Sequence, residues 1–102
     1  MVPKNRAPTH PVEMLLEEFL KPIGMSQKNF ADHLGWTYAK LSELIHGKRG
    51  ITPETALDLS DAFNMEPDFW INLQRDWDIY KATKRHKKVE YLGKDVLKAQ
   101  VG

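Results

Sequence analysis

The chain contains no cysteine, which excludes a disulfide framework and any thiolate metal site. A membrane span needs about 18 apolar residues, and no run in this sequence approaches that. The opening residues, MVPKNRAPTHP, hold no apolar segment of the kind a secretory signal requires. A soluble, cytoplasmic protein without a membrane partner is expected. Strand alternation bounded by hairpin dipeptides is missing between residues 11 and 85, which argues against a sheet. Paired metal-ligand spacing such as HExxH is missing as well, and the imidazoles of His10, His33, His46 and His86 are dispersed. Ser26 and Asp32 could be drawn into a triad with a histidine, but both fall on one short surface helix that supplies no pocket. Catalysis is therefore not expected, and neither is a cofactor.

Charge of one sign is also locally absent. Residues 50–74 contain no lysine or arginine and carry Glu54, Asp58, Asp61, Glu66 and Asp68, a net −5. Residues 21–49 carry five basic and two acidic groups, a net +3, and residues 75–102 carry eight and four, a net +4. The formal net charge of +1 hides two basic regions flanking an acidic one.

What is present points to one small helical domain. A length of 102 residues with 41% apolar residues and ten aromatics suffices for a single hydrophobic core. Val12, Leu15, Leu16, Phe19, Leu20 and Ile23 follow the i, i+3, i+4 rule, with Pro11 suited to the first turn and a stop near Pro22 and Gly24. Ser26 is a good N-cap for a second helix with Phe30, Ala31 and Leu34 inward, closed by Gly35. Thr37 caps a third helix whose inner side is Leu41, Leu44 and Ile45, ending at Gly47. Thr52-Pro53 opens a fourth, with Ala56, Leu59, Ser60 and Phe63 inward, and Pro67 opens a fifth, with Phe69, Trp70, Leu73, Trp77 and Tyr80 on one side. The expectation is an all-α, five-helix domain over residues 11–85, an N-terminal arm over 1–10, and a tail over 86–102. The tail pattern leaves a mobile segment, a final helix and a short strand at Val89 to Leu92 all open.

The second and third helices carry the functional signal. Two short helices joined by a glycine turn, the second ending in a basic loop, match a helix-turn-helix, whose second helix enters the major groove of DNA. Counting Gln27 as the first position, a small residue falls at five (Ala31), glycine at nine (Gly35), and apolar anchors at fifteen and eighteen (Leu41, Leu44). A 100° wheel turns Ala39, Ser42, Glu43 and His46 outward with Tyr38 flanking. Ala39 suits a thymine methyl, Ser42 can hydrogen-bond several bases, Tyr38 can serve either a base edge or a phosphate, and Glu43 can accept from a cytosine amino group although it repels phosphate. Gln27 and Thr37 sit at helix N-termini, where an anion is favoured. Lys40, Lys48 and Arg49 supply phosphate-binding charge, with Lys28 in support.

On these residues the chain resembles the HigA family of antitoxins, within the Cro/repressor-like (XRE-type) helix-turn-helix class. The resemblance is carried by HPVEMLLEEFL, SQKNFADHLG, GKRGITPETALDLSDAF and PDFWINLQRDWDI. Val12 stands where the family usually has glycine, and His46 where asparagine often precedes Gly47. The resemblance implies an antitoxin that dimerises, binds a palindromic operator in double-stranded DNA, represses its own operon and sequesters a HigB-type mRNA-cleaving toxin. A stand-alone phage- or plasmid-type repressor is the nearest alternative, and a protein-only adaptor would show no DNA affinity at all. Trp77 and Tyr80, beyond what the core needs, are the expected homodimer anchors. Glu54, Asp58 and Asp61 on the outer side of the fourth helix, or the N-terminal arm, are the candidate toxin contacts.

Overall fold

The computed structural model describes residues 7–101, with side chains to residue 97. Residues 1–6 of the expected arm lie outside the described residues. Among those described the chain is helical, without strands. Helix α1 starts as α-helix at Pro11–Glu13, widens into a π-helical stretch over Met14–Leu20 and returns to α-helix at Lys21–Ile23. Four further helices follow: α2 (Gln27–Leu34), α3 (Tyr38–Ile45), α4 (Pro53–Phe63) and α5 (Asp68–Arg85). A sixth, α6 (Lys94–Val101), lies in the tail. No helix among the described residues is long and apolar enough to cross a membrane.

Local chemistry explains most boundaries. His10 caps α1 by accepting the Val12 N–H on its Nδ1 at 3.0 Å, which satisfies one of the donors a helix N-terminus leaves open. Thr52 caps α4 through the Thr55 N–H at 3.2 Å, with Pro53 in the first turn. Gly24 ends α1 at φ 70, with its N–H on the Lys21 carbonyl and the Met25 N–H on Leu20, a left-handed closure that glycine adopts without steric penalty.

The π-helical stretch corrects the sequence reading of α1. Lys21 donates its backbone N–H to Leu16, five residues back. The extra residue per hydrogen-bonded turn rotates everything that follows relative to an α-helical wheel. Val12, Leu15 and Leu20 are buried and Leu16 and Phe19 pack against the core, but Ile23 is 59% exposed. Pro22, which lacks an N–H and whose ring crowds the carbonyl four residues back, sits at the end of the widened stretch, where the α-register is already interrupted.

Trp70 of α5 is the centre of the core, fully buried. Its ring lies 5.2 Å from Phe19 of α1, 6.1 Å from Phe63 of α4 and 5.1 Å from Phe69, while Phe30 of α2 stacks on Phe63 at 5.5 Å. Four helices thus meet on one aromatic cluster, and each such pair contributes about 0.5–1.5 kcal/mol beyond area burial. Among the described residues, the buried Trp70 indole N–H has no acceptor. Val12 joins this core. In the tail, residues 86–93 form no regular element and Val89, Tyr91 and Leu92 are exposed. Of the three conformations left open for this segment, a helix is present, at Lys94–Val101.

The His10 cap makes stability depend on pH. Its ring is half-buried, edge-on to Trp77 at 4.6 Å. Burial pushes its pKa below the ordinary value; Glu13 and Asp78 oppose that shift and Lys81 adds to it. A depressed folded-state pKa means the contribution is complete above about 6.5, the unfolded value, and is lost as pH falls through the lower folded value. Melting temperature should therefore drop between pH 7 and pH 5 by more in wild type than in His10→Asn, whose amide caps without titrating. Equal drops in thermal scans would show that the cap does not set this dependence.

Candidate nucleic-acid interface

The turn between α2 and α3 is built by two residues. Gly35 takes φ 73 and donates its N–H to Asp32, and the Trp36 N–H bonds the Ala31 carbonyl at 2.9 Å. Trp36 then buries its ring, donates its indole N–H to Asp58 Oδ2 of α4 at 2.8 Å, and carries the Lys40 ammonium over its face at 4.4 Å. An apolar side chain just after a left-handed helix end commonly packs back on the helix it follows. That signal would have found Trp36, which sequence reasoning missed. The same hydrogen bond corrects the expectation for Asp58: it is only half-exposed and engaged, so the exposed acids of α4 are Glu54 and Asp61.

Helix α3 divides as its periodicity dictates. Thr37 Oγ1 accepts the Lys40 N–H at 3.1 Å and so caps the helix, while its own hydroxyl hydrogen stays available for an acceptor. Leu41 and Leu44 are 0% and 2% exposed. Opposite them Tyr38 stands 55% exposed, Ala39 and His46 are exposed, and Ser42 and Glu43 are half-exposed. His46 Nδ1 lies 2.8 Å from the Ser42 carbonyl and 3.3 Å from its hydroxyl. The carbonyl contact suits a proton on Nδ1, which makes Nε2 the acceptor nitrogen of the ring. The ring therefore reads as a fixed part of the face, not as a loose side chain.

Gln27 follows Ser26, whose hydroxyl accepts the Asn29 N–H at 3.1 Å. With Lys28 and Tyr38 it lines an open cleft between α1 and the two short helices. At the other end of α3, Gly47 takes φ 73 and the Lys48 N–H returns to the Glu43 carbonyl at 2.8 Å. Lys48 and Arg49 follow on an exposed loop. Lys81 of α5 lines the same groove as these two cations. Seven of the expected contact residues (Thr37, Tyr38, Ala39, Lys40, Ser42, Glu43 and His46) therefore share α3 and its caps. Gln27, Lys48 and Arg49 flank it.

One pairing was not anticipated. Arg49 donates from Nε at 3.1 Å and from Nη2 at 2.5 Å to Glu43 Oε1, with both side chains 46% exposed. An exposed pair of this kind contributes only about 0–1 kcal/mol, so a phosphate can displace the carboxylate. The arginine neutralises part of the Glu43 charge within the chain.

Trp77 and Tyr80 are half-buried on α5. Trp77 packs on His10 and lies 5.7 Å from Tyr80, whose face carries the Lys84 ammonium at 4.5 Å. Part of each ring is engaged within the chain and part remains at the surface.

Three comparisons bear on this geometry. A family model described as Helix-turn-helix matches residues 16–70. Virulence-associated protein I of Dichelobacter nodosus is 34% identical, with 87% of this chain and 83% of that protein covered. Antitoxin HigA-1 of Vibrio cholerae is also 34% identical, over 82% of this chain and 79% of that one. Other relatives are named only as helix-turn-helix transcriptional regulators. Among solved structures, the Pseudomonas aeruginosa antitoxin HigA with the higBA promoter superposes with a TM-score of 0.76 at 27% identity, covering 84% of this chain and 99% of that one.

The Glu43–Arg49 pair has a measurable consequence. In Glu43→Gln the arginine is released and a negative charge leaves the reading face. Affinity for non-specific duplex DNA should rise by up to about 5-fold, the equivalent of one exposed ion pair, and the salt dependence should steepen by about one phosphate. Unchanged non-specific binding in a salt titration would mean the pair does not restrain Arg49.

Proposed function

The chain belongs to the helix-turn-helix family, among the HigA antitoxins and their regulator relatives, and we propose from that premise that it is the antitoxin of a type II toxin–antitoxin system. In this reading it binds a palindromic operator as a homodimer, represses its own operon and sequesters a HigB-type mRNA-cleaving toxin. The observation that carries the DNA half is the division of α3: Leu41 and Leu44 fully buried behind a solvent-facing Tyr38, Ala39, Ser42 and His46, with a basic loop directly after. A helix so held is rigid enough to present side chains to base edges, while the loop and the helix N-termini take phosphates.

A two-fold dimer would set two copies of α3 about 34 Å apart, one DNA turn. The outer edges of Trp77 and Tyr80 supply its anchors, since half-exposed Trp and Tyr are the side chains that most often dominate such contacts. A toxin that holds RNA must present basic surface, and the exposed Glu54 and Asp61 flank Leu57, 53% exposed, on the outer side of α4. That apolar centre with an acidic rim is the docking face favoured here. The regulator relatives keep one rival in view, a repressor without a toxin, which shares the DNA half entirely.

Two measurements test the reading. Gel shifts against the chain's own upstream DNA, with and without the product of the neighbouring gene, should show binding and its modulation by a co-purifying small basic protein. Binding without co-purification favours the stand-alone repressor, and charge reversal at Glu54 and Asp61 with unchanged toxin affinity rejects that face. Within the DNA site, Lys48→Ala or Arg49→Ala should weaken all sequences alike and shallow the salt slope by about one unit each, whereas Ser42→Ala or Tyr38→Ala should change sequence preference. A monomeric mass by light scattering at tens of micromolar would remove the dimer.

A further inference from the structure

We infer that Gln74 of α5 is a positioning residue for DNA binding, locking the basic loop against the body of the protein; this rests on the DNA reading above. The backbone N–H of Ile51 donates to Gln74 Oε1 at 2.8 Å, across 23 residues of sequence. The other end of the same amide, Nε2, donates to Asp78 Oδ1 at 2.9 Å, one turn further along α5. These two partners fix the amide's orientation, since the backbone N–H requires the oxygen and the carboxylate requires the nitrogen.

The loop is therefore held at both ends. At its start, the left-handed Gly47 and the Lys48 N–H on the Glu43 carbonyl tie it to α3. At its end, Ile51 is buried and its N–H is taken by Gln74. Between these two fixtures stand Lys48 and Arg49 and nothing else but Gly50. Gly50 has an ordinary φ, so its requirement is for space: a Cβ there would lie 3.1 Å from both Cδ and Nε2 of Gln74 and 3.2 Å from Oε1. The absence of that carbon lets the amide close over the loop.

Each feature has a chemical reason. Asparagine is one methylene too short to reach the loop from the same backbone position. Glutamate would keep an acceptor for Ile51 but set a second carboxylate against Asp78. Glutamine alone joins an N–H to a carboxylate across this gap. A loop already ordered loses less freedom when it meets phosphate, so the lock favours binding without touching DNA. It also makes the place of Lys48 and Arg49 depend on the place of α5, the helix that bears Trp77 and Tyr80.

The full-length chain provides the test. Titrations of labelled upstream DNA against salt compare wild type, Gln74→Met, Gly50→Ala and the double variant Gly50→Ala with Gln74→Ala, and amide hydrogen exchange reads Ile51 directly. Gln74→Met removes both hydrogen bonds at nearly constant size. It should weaken DNA binding about 10-fold, a loss on the scale of one charge-assisted hydrogen bond, shallow the salt slope by about one, leave the base preference unaltered and speed exchange at Ile51. Gly50→Ala alone should weaken binding, and it should add no further loss once Gln74 is alanine, because the atoms it strikes are gone. Wild-type affinity and slope in Gln74→Met, or fully additive losses in the double variant, would overturn the inference. Rapid Ile51 exchange in Gln74→Met with no DNA binding by the wild-type chain would show the lock present and the DNA reading wrong, and the positioning role would fall with it.

Discussion

The turn between α2 and α3 governs the functional half of the molecule, and it depends on one short hydrogen bond. Gly35 reverses the chain in the left-handed region, and Trp36 then anchors the reversal by burying its ring and donating to Asp58 at 2.8 Å. The bond links the turn to α4, so the recognition helix is oriented by a neighbour distant in sequence as well as by its own short connection. Lys40 over the same indole adds a cation–π contact, worth about 0.5–1 kcal/mol at an exposed site. Asp58 in turn is withdrawn from the acidic surface to which simple helical spacing would assign it.

With the turn fixed, α3 behaves as a rod with two faces. Leu41 and Leu44 hold it from behind, and removing either side chain from such a site would cost about 2–5 kcal/mol, far more than any contact on the outer face. The side chains on the outer face can therefore vary without endangering the fold. The polar groups of that face are also engaged within the chain: Glu43 pairs with Arg49, and the Ser42 carbonyl holds the His46 ring. Weak exposed pairs of this kind exchange readily for other partners.

Much of this was legible in residue pattern alone, for physical reasons that differ by element. The caps at Ser26, Thr37 and Thr52 and the closures at Gly24, Gly35 and Gly47 are local hydrogen-bond and dihedral events, so a short window of sequence specifies them. The inner stripes of α2 to α4 follow because periodicity fixes the relative direction of side chains on one helix. Ile23 escaped because a π-helical stretch changes that period without any sequence marker of its own. Asp58, Trp36 and the Glu43–Arg49 pair escaped because each depends on what stands opposite, while the tail helix stayed one of three open readings because its apolar pattern is short.

The sequence by itself determined the helix boundaries, the all-α class, the turn at Gly35 and the sidedness of Tyr38 to His46, since these follow from interactions within four or five residues. Tertiary structure decided which polar groups remain for a partner and which are already engaged. Trp36 with Asp58, Ile51 with Gln74 and His10 with Trp77 are separated by 22, 23 and 67 residues, and no local rule brings them together. Only the packing of α5 and α4 around Trp70 sets those distances, because hydrogen bonds and ring contacts act over a few ångströms and are indifferent to how much chain lies between their ends.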